Sequence, residues 1–133
     1  NRWAGFGAEV RRRILLGTFL LSAGYYDAYF EKAQAVRKKI SEKNSLIFSQ
    51  FDVVILPVSP ETAYKTGEKN RDPISMYLAD IYTVYANLTG VPAISVPLFL
   101  HSNGLPYGPQ IMMNRFQELS LLRFAHHLMQ VYR

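Results

Sequence analysis

Apolar positions along this chain alternate between helical spacing and short unbroken runs, and that alternation predicts the elements. Val10, Ile14, Gly17 and Leu21 fall on one face of a helix from about Ala8 to Leu21. Ser22 is expected to cap, and Gly24 to loosen, the break that follows. Tyr25, Tyr26, Tyr29 and Phe30 then open a second helix reaching about Gln50, with a buried face of Tyr29, Ala33, Val36, Ile40 and Ile47. Phe51 to Val58, FDVVILPV, is β-branched and almost wholly apolar, which predicts a strand buried on both faces. Ser59 to Asp72 is polar, carries Gly67, Lys69 and Asn70, and is expected to be a loop. Asp72-Pro73 starts a third helix whose stripe is Tyr77, Ile81, Val84 and Leu88. The run Ala93 to Leu100 contains Pro97, which places it at a strand end or edge. A Ser102-Asn103-Gly104 turn joins it to YGPQIMM as a hairpin, with Met112 and Met113 as core fillers. Phe116 to Arg133 reads as a last amphipathic helix built on Leu119, Leu122, Ala125 and Met129.

Two charges fit this pattern poorly. Arg11 and Arg12 point away from the first apolar face and are expected to be solvated, whereas Arg13 lies on its flank. A guanidinium there needs an anionic or carbonyl partner, because it does not deprotonate at ordinary pH. On periodicity alone an internal carboxylate is the better reading, with a bound ligand as the alternative. Asp80 lies at the margin of the third helix's stripe. It reads either as a boundary carboxylate in contact with water or as a positioned acceptor for a cation or ammonium group, and the two charges could also pair with each other.

Composition sets the outer bounds. The 133 residues are 49% hydrophobic and 19% charged, enough for one domain with a real core and unlike a disordered chain. No apolar run is long enough to span a bilayer, and the first residues lack the order of a signal peptide, so a cytoplasmic protein is expected. The absence of cysteine excludes disulfides, thiolate chemistry and Cys-based metal sites. The net charge of +5 is uneven: residues 1 to 50 hold nine Lys/Arg against four Asp/Glu, and the remainder six of each. That could suit RNA or an acidic partner, but without interleaved aromatics a solvated helix face is the better reading. There is no G-x-S-x-G, no phosphate-binding glycine loop and no metal-ligand cluster. His126 and His127 are adjacent and diverge, and nothing marks a serine partner for His101.

Four blocks of the chain carry a family resemblance. They are FGAEVRRRILLGTFLLSAGYYDAYFEKAQAVR at Phe6 to Arg37, FDVVILPVSPETAYKTGE at Phe51 to Glu68, DPISMYLADIYTVYANLTGVPAISVP at Asp72 to Pro97 and GLPYGPQIM at Gly104 to Met112. This wording resembles the C-terminal part of amidase-signature enzymes, most closely the A subunits of bacterial aspartyl/glutamyl-tRNA amidotransferases. The resemblance implies an α/β fold in which residues 1–133 form the C-terminal portion of an α/β/α sandwich, a mixed sheet with helices on both faces. It also implies glutamine hydrolysis by a serine assisted by a second serine and a lysine, all of them upstream of this segment, which by itself would be inactive. The ammonia would pass to a partner subunit to amidate a phosphate-activated glutamate or aspartate on misacylated tRNA. B and C subunits are the implied partners, no cofactor is implied for this chain, and ATP and Mg would be used by the partner subunit.

Residue by residue, the resemblance assigns Arg13 to the glutamine carboxylate and Asp80 to its ammonium group. A fixed fork opposite a carboxylate would grip both ends of a free amino acid and reject simple amides. Val84 and Tyr85 stand where Thr and Pro are frequent, and Tyr107 and Pro109 where Val or Ile and Leu are usual, which could reshape a wall near the substrate or a subunit contact. Gln110 keeps the family glutamine. Two other readings stand beside this one: a different amidase-signature hydrolase, and a non-catalytic subunit or tRNA docking module. Apolar faces left uncovered in an isolated segment would favour self-association.

Overall fold

The computed structural model describes residues 5–22, 25–66 and 73–132, which group into two compact units, Asn1–Lys39 and Ile40–Arg133. The expected roles of Gly24, of Asp72 and of the loop from Gly67 to Asn70 lie outside the described residues.

In the first unit, α1 (Ala8–Leu20) ends within a residue of the expected place. Ser22 acts differently from expectation: its hydroxyl donates to the Phe19 carbonyl at 2.6 Å, closing α1 instead of capping the next helix. The second helix opens with a π-helical turn, Tyr26–Glu31, and continues as α2 (Lys32–Phe48) into the second unit. Aromatic rings meet where this helix opens, Phe19 on Tyr25 at 4.3 Å between ring centres and Tyr26 on Phe30 at 4.8 Å. Neither expected apolar face is buried, however. Val10, Ile14 and Leu21 on α1, and Tyr29, Val36 and Ile47 on the second helix, are all exposed. Amphipathic spacing states which face a helix would bury, while burial requires a second surface, and each of these residues keeps 38–57% of its surface exposed.

The second unit is built on an antiparallel sheet of order β1-β5-β2, formed by β1 (Val53–Pro57), β2 (Ala93–Ser95) and β5 (Pro109–Met113). Its register runs from Val53↔Met113 to Pro57↔Pro109 on one side of β5 and from Ala93↔Met112 to Ser95↔Gln110 on the other. The centre is therefore β5, where Gln110 to Met113 are all buried. β1, expected to be buried on both faces, is an edge strand here and leaves Ile55 52% exposed. β-Branched composition reports a strand but not its place in the order of a sheet. Pro97 ends the run after β2, as expected, and the chain resumes as β3 (Phe99–Leu100) in a separate hairpin with β4 (Pro106–Tyr107). Gly104, at φ 80°, makes its turn. Gly108 follows, and a Cβ there would lie 1.8 Å from the Val96 carbonyl oxygen, so only glycine lets the two backbones pass.

Side chains alternate across β5. Ile111 and Met113 face α5 (Glu118–Val131) and form the core with Val96, Leu121 and Ala125. Met112, fully buried, and Gln110 face the other side of the sheet. The face of α5 is thus shifted from the expected one: Ala125 and Met129 do face the core, but Leu119 and Leu122 are 62% and 56% exposed and Leu121 takes their place. The two leucine phases differ by a fraction of a turn, and the sheet selects between them.

The predicted third helix is two helices, α3 (Pro73–Ala79) and α4 (Thr83–Thr89), separated by the turn Asp80-Ile81-Tyr82. Its expected stripe is mostly open, with Tyr77, Ile81 and Val84 exposed, and the buried residue is Thr89. Ile81 to Val84 is a run of β-branched and aromatic residues with weak helix propensity, which makes this a soft point in the helix. Gly90, at φ 70°, then ends α4 with a left-handed cap.

Candidate functional site

Asp80 occupies the turn between α3 and α4 and is exposed. Its backbone is held locally: its N–H donates to Tyr77 O at 3.2 Å, and its own carbonyl accepts the Val84 N–H at 3.0 Å and the Thr83 hydroxyl at 3.2 Å. The carboxylate makes no hydrogen bond or ion pair with another described residue of its unit. A carboxylate on a fixed turn with its oxygens in solvent can accept from a cation.

The structure behind this turn is polar and satisfied. Gln110 on β5, 5% exposed, donates from Nε2 to the Tyr82 carbonyl at 3.2 Å. The Tyr85 hydroxyl donates to Oδ1 of the buried Asn44 on α2 at 2.9 Å. Burial pushes the Tyr85 phenol up from its ordinary pKa, which keeps it a donor. At the far end of α4, Arg115 donates to the Thr89 carbonyl from Nε at 3.1 Å and from Nη2. The two short helix ends and the middle of α4 are thereby tied to a strand, to the segment after it and to α2.

Arg13, in the first unit, is exposed and pairs one turn back, its Nε 3.0 Å from Glu9 Oε1, while Arg12 reaches the other oxygen at 2.8 Å. This is the internal carboxylate that periodicity favoured. Arg13 first, and Arg12 after it, hold the Glu9 carboxyl below the usual carboxylate range. Of the three arginines the half-buried one is Arg11, against the expectation of a solvated side chain. Arg13 and Asp80 belong to different units.

An apolar cavity of about 800 Å³ opens elsewhere on the second unit, with Ile55, Phe99, Tyr107, Tyr132, Glu61 and His101 in its wall. Asp80 does not line it. Tyr107 lies tilted against Phe99 at 5.5 Å between ring centres, and Pro109 opens β5 opposite Pro57, which gives these two family departures a structural place. His101 Nδ1 accepts the Asn103 N–H at 3.4 Å and lies 3.4 Å from the Ser102 hydroxyl, so it closes its own turn. His126 and His127 are exposed. No group of three His, Cys, Asp or Glu side chains fit to hold a metal occurs among the described residues, and no helix among them is long and apolar enough to cross a membrane.

The family model described as Amidase matches residues 1–122. The chain belongs to the amidase family. Among relatives of this amidase chain is the A subunit of glutamyl-tRNA(Gln) amidotransferase from Parvibaculum lavamentivorans, 53% identical over 98% of this chain and 26% of that protein. The protein of the same name from Brevibacillus brevis is 54% identical over 95% and 26%. The chain thus spans about a quarter of the length of the curated relatives it matches. The crystal structure of the A subunit of the Thermotoga maritima glutamyl-tRNA(Gln) amidotransferase superposes with a TM-score of 0.71, at 55% identity over 91% of this chain and 26% of that one. Kluyveromyces lactis allophanate hydrolase gives 0.76 at 26% identity, over 93% of this chain and 20% of that one. The α/β class read from the sequence holds for this amidase chain.

Sequence reasoning did not foresee Asn44, Tyr85 and Arg115 as supports of the Asp80 region. Gln110 carried a signal: a glutamine inside the apolar run of a strand must find a partner if it is buried.

Proposed function

We propose that residues 1–133 are the C-terminal part of a glutamine-hydrolysing amidase-signature subunit, in which Arg13 binds the α-carboxylate of glutamine and Asp80 its α-ammonium group. The observation that carries this reading is the 53% and 54% identity, over nearly the whole chain, to proteins named as the A subunit of glutamyl-tRNA(Gln) amidotransferase. In this reading a serine, a second serine and a lysine in the remaining part of the domain cleave the amide, so the present segment supplies recognition and not the nucleophile. The ammonia passes to a partner subunit, where ATP and Mg activate the glutamate or aspartate of misacylated tRNA. B and C subunits complete the assembly in the cytoplasm.

The chemistry of the two residues fits the task. Free glutamine carries one anion and one cation beside its amide, and a guanidinium fork with a separate carboxylate addresses both. Glu9, bonded to Arg13 Nε, steadies that fork. Asp80 offers an exposed acceptor on a turn held by backbone hydrogen bonds. Gripping the two charges places the side-chain amide at a set distance from them, so substrate choice and rate change together.

The test is amide hydrolysis by the full-length enzyme. Arg13→Ala and Asp80→Asn should each lower kcat/KM for glutamine by about 2–5 kcal/mol of transition-state binding, the range for truncating one partner of a charged contact. Hydrolysis of neutral aliphatic amides should change little. Glutamine turnover at wild-type efficiency in Arg13→Ala would remove the assignment. A wild-type preference for neutral amides would point to another amidase-signature hydrolase. Partner capture and salt-dependent RNA binding without glutaminase activity would point to a docking module.

A further inference from the structure

We infer that Gln110 is a positioning residue for Asp80, setting the direction of the carboxylate that receives the substrate ammonium; the inference rests on the glutamine-binding reading above.

The geometry begins with the helix break. Asp80, Ile81 and Tyr82 link two seven-residue helices, and helices this short do not fix their own direction in water. The hydrogen bonds inside the turn, from Asp80 N to Tyr77 O and from Ile81 N to Leu78 O at 3.3 Å, are local and move with it. The Gln110 side chain ties the turn to the sheet. Gln110 lies on the central strand, paired on one side with Leu56 and on the other with Ser95, so its backbone is fixed by both neighbouring strands. Its side chain is buried on the face opposite α5, beside the fully buried Met112, whose sulfur lies 3.8 Å from Nε2.

From there Nε2 donates to the carbonyl of Tyr82, the N-cap residue of α4 and two positions after Asp80. A carbonyl oxygen has two lone pairs, so it can take the glutamine N–H as well as the first bond of the helix. A buried donor with one oxygen acceptor and only a weak sulfur acceptor beside it is directional: swinging the turn would break the stronger bond and leave the amide with the Met112 sulfur alone. The rigid strand is thereby coupled to the exposed turn through one side chain, which is how a recognition group on a short loop keeps its aim.

The experiment compares two amides in the full-length enzyme: glutamine, and 4-carbamoylbutanoate, which is the same molecule without the α-ammonium. Gln110→Met keeps the length of the side chain and removes the donor. It should raise KM for glutamine about tenfold, the effect of losing one such bond, while kinetics on 4-carbamoylbutanoate stay at the wild-type level. In an Asp80→Asn background the same change should have no further effect on glutamine. Equal losses on both amides, or a full additional loss in that background, would overturn the inference. Asp80→Asn leaving discrimination between the two amides intact would instead overturn the binding role of Asp80 itself, and the present inference with it.

Gln110→Glu supplies a second readout should the methionine variant not fold. A protonated glutamic acid donates to the Tyr82 carbonyl and a carboxylate repels it, so KM for glutamine relative to wild type should fall as pH is lowered. A ratio independent of pH would count against Gln110.

Discussion

The hydroxyl of Tyr85 donates to Oδ1 of Asn44 at 2.9 Å, joining α4 to α2 across 41 positions of sequence. Asn44 is 4% exposed, so this bond satisfies a polar group that has left water. Tyr85→Phe leaves the amide oxygen unpaired and should lower unfolding free energy by about 1–3 kcal/mol, read by urea denaturation. The pH dependence follows from the raised phenol pKa. A group whose folded pKa is raised contributes its stability in full below the unfolded value and loses it as pH rises through the folded one. Wild type should therefore lose stability above the ordinary tyrosine range, and Tyr85→Phe should remove that part of the alkaline slope.

Glu9 has the opposite sign. Its pKa is lowered by Arg13 and then Arg12, so its contribution is present above the ordinary glutamate value and disappears as pH falls through the lowered one. An NMR titration of the Glu9 carboxyl should show a midpoint below that of an unperturbed glutamate. The midpoint should move back toward the ordinary value in high salt, because the pair is exposed. In Arg13→Ala the midpoint should rise toward the ordinary value, with Arg12 still holding part of the shift.

Gly108→Ala places a methyl group into the Val96 carbonyl, 1.8 Å away. Both groups are backbone, so relief requires the strand to move. The variant should lose at least about 3 kcal/mol, the scale of severe overpacking, or accumulate as insoluble protein. A soluble variant with unchanged thermal unfolding would contradict the close approach.

Two neighbouring leucines of α5 report its rotation on the sheet. Leu121 is 3% exposed and belongs to the core, whereas Leu122 is 56% exposed. Leu121→Ala should cost about 2–5 kcal/mol, while Leu122→Ala should stay within about 0.5 kcal/mol. The reverse order would restore the helix phase that spacing alone suggested. Thermal unfolding of the two variants decides between them.

The sequence by itself determined where the chain changes character: the first helix, the strand after Phe51, the interruption at Pro97, the Ser-Asn-Gly hairpin and the methionine-filled strand are all in place. Each depends on neighbours a few positions apart, through periodicity, a missing N–H or a turn conformation, and such information is local. Family membership was also legible there, since it rests on the order of residues. Tertiary structure alone decided that β5 and not β1 is the central strand and that Leu121 turns inward. It also chose Gln110, Tyr85 and Asn44 as partners for groups far along the chain. A strand's place in a sheet and a polar group's partner are set by which distant surfaces meet, and no spacing within one element encodes that.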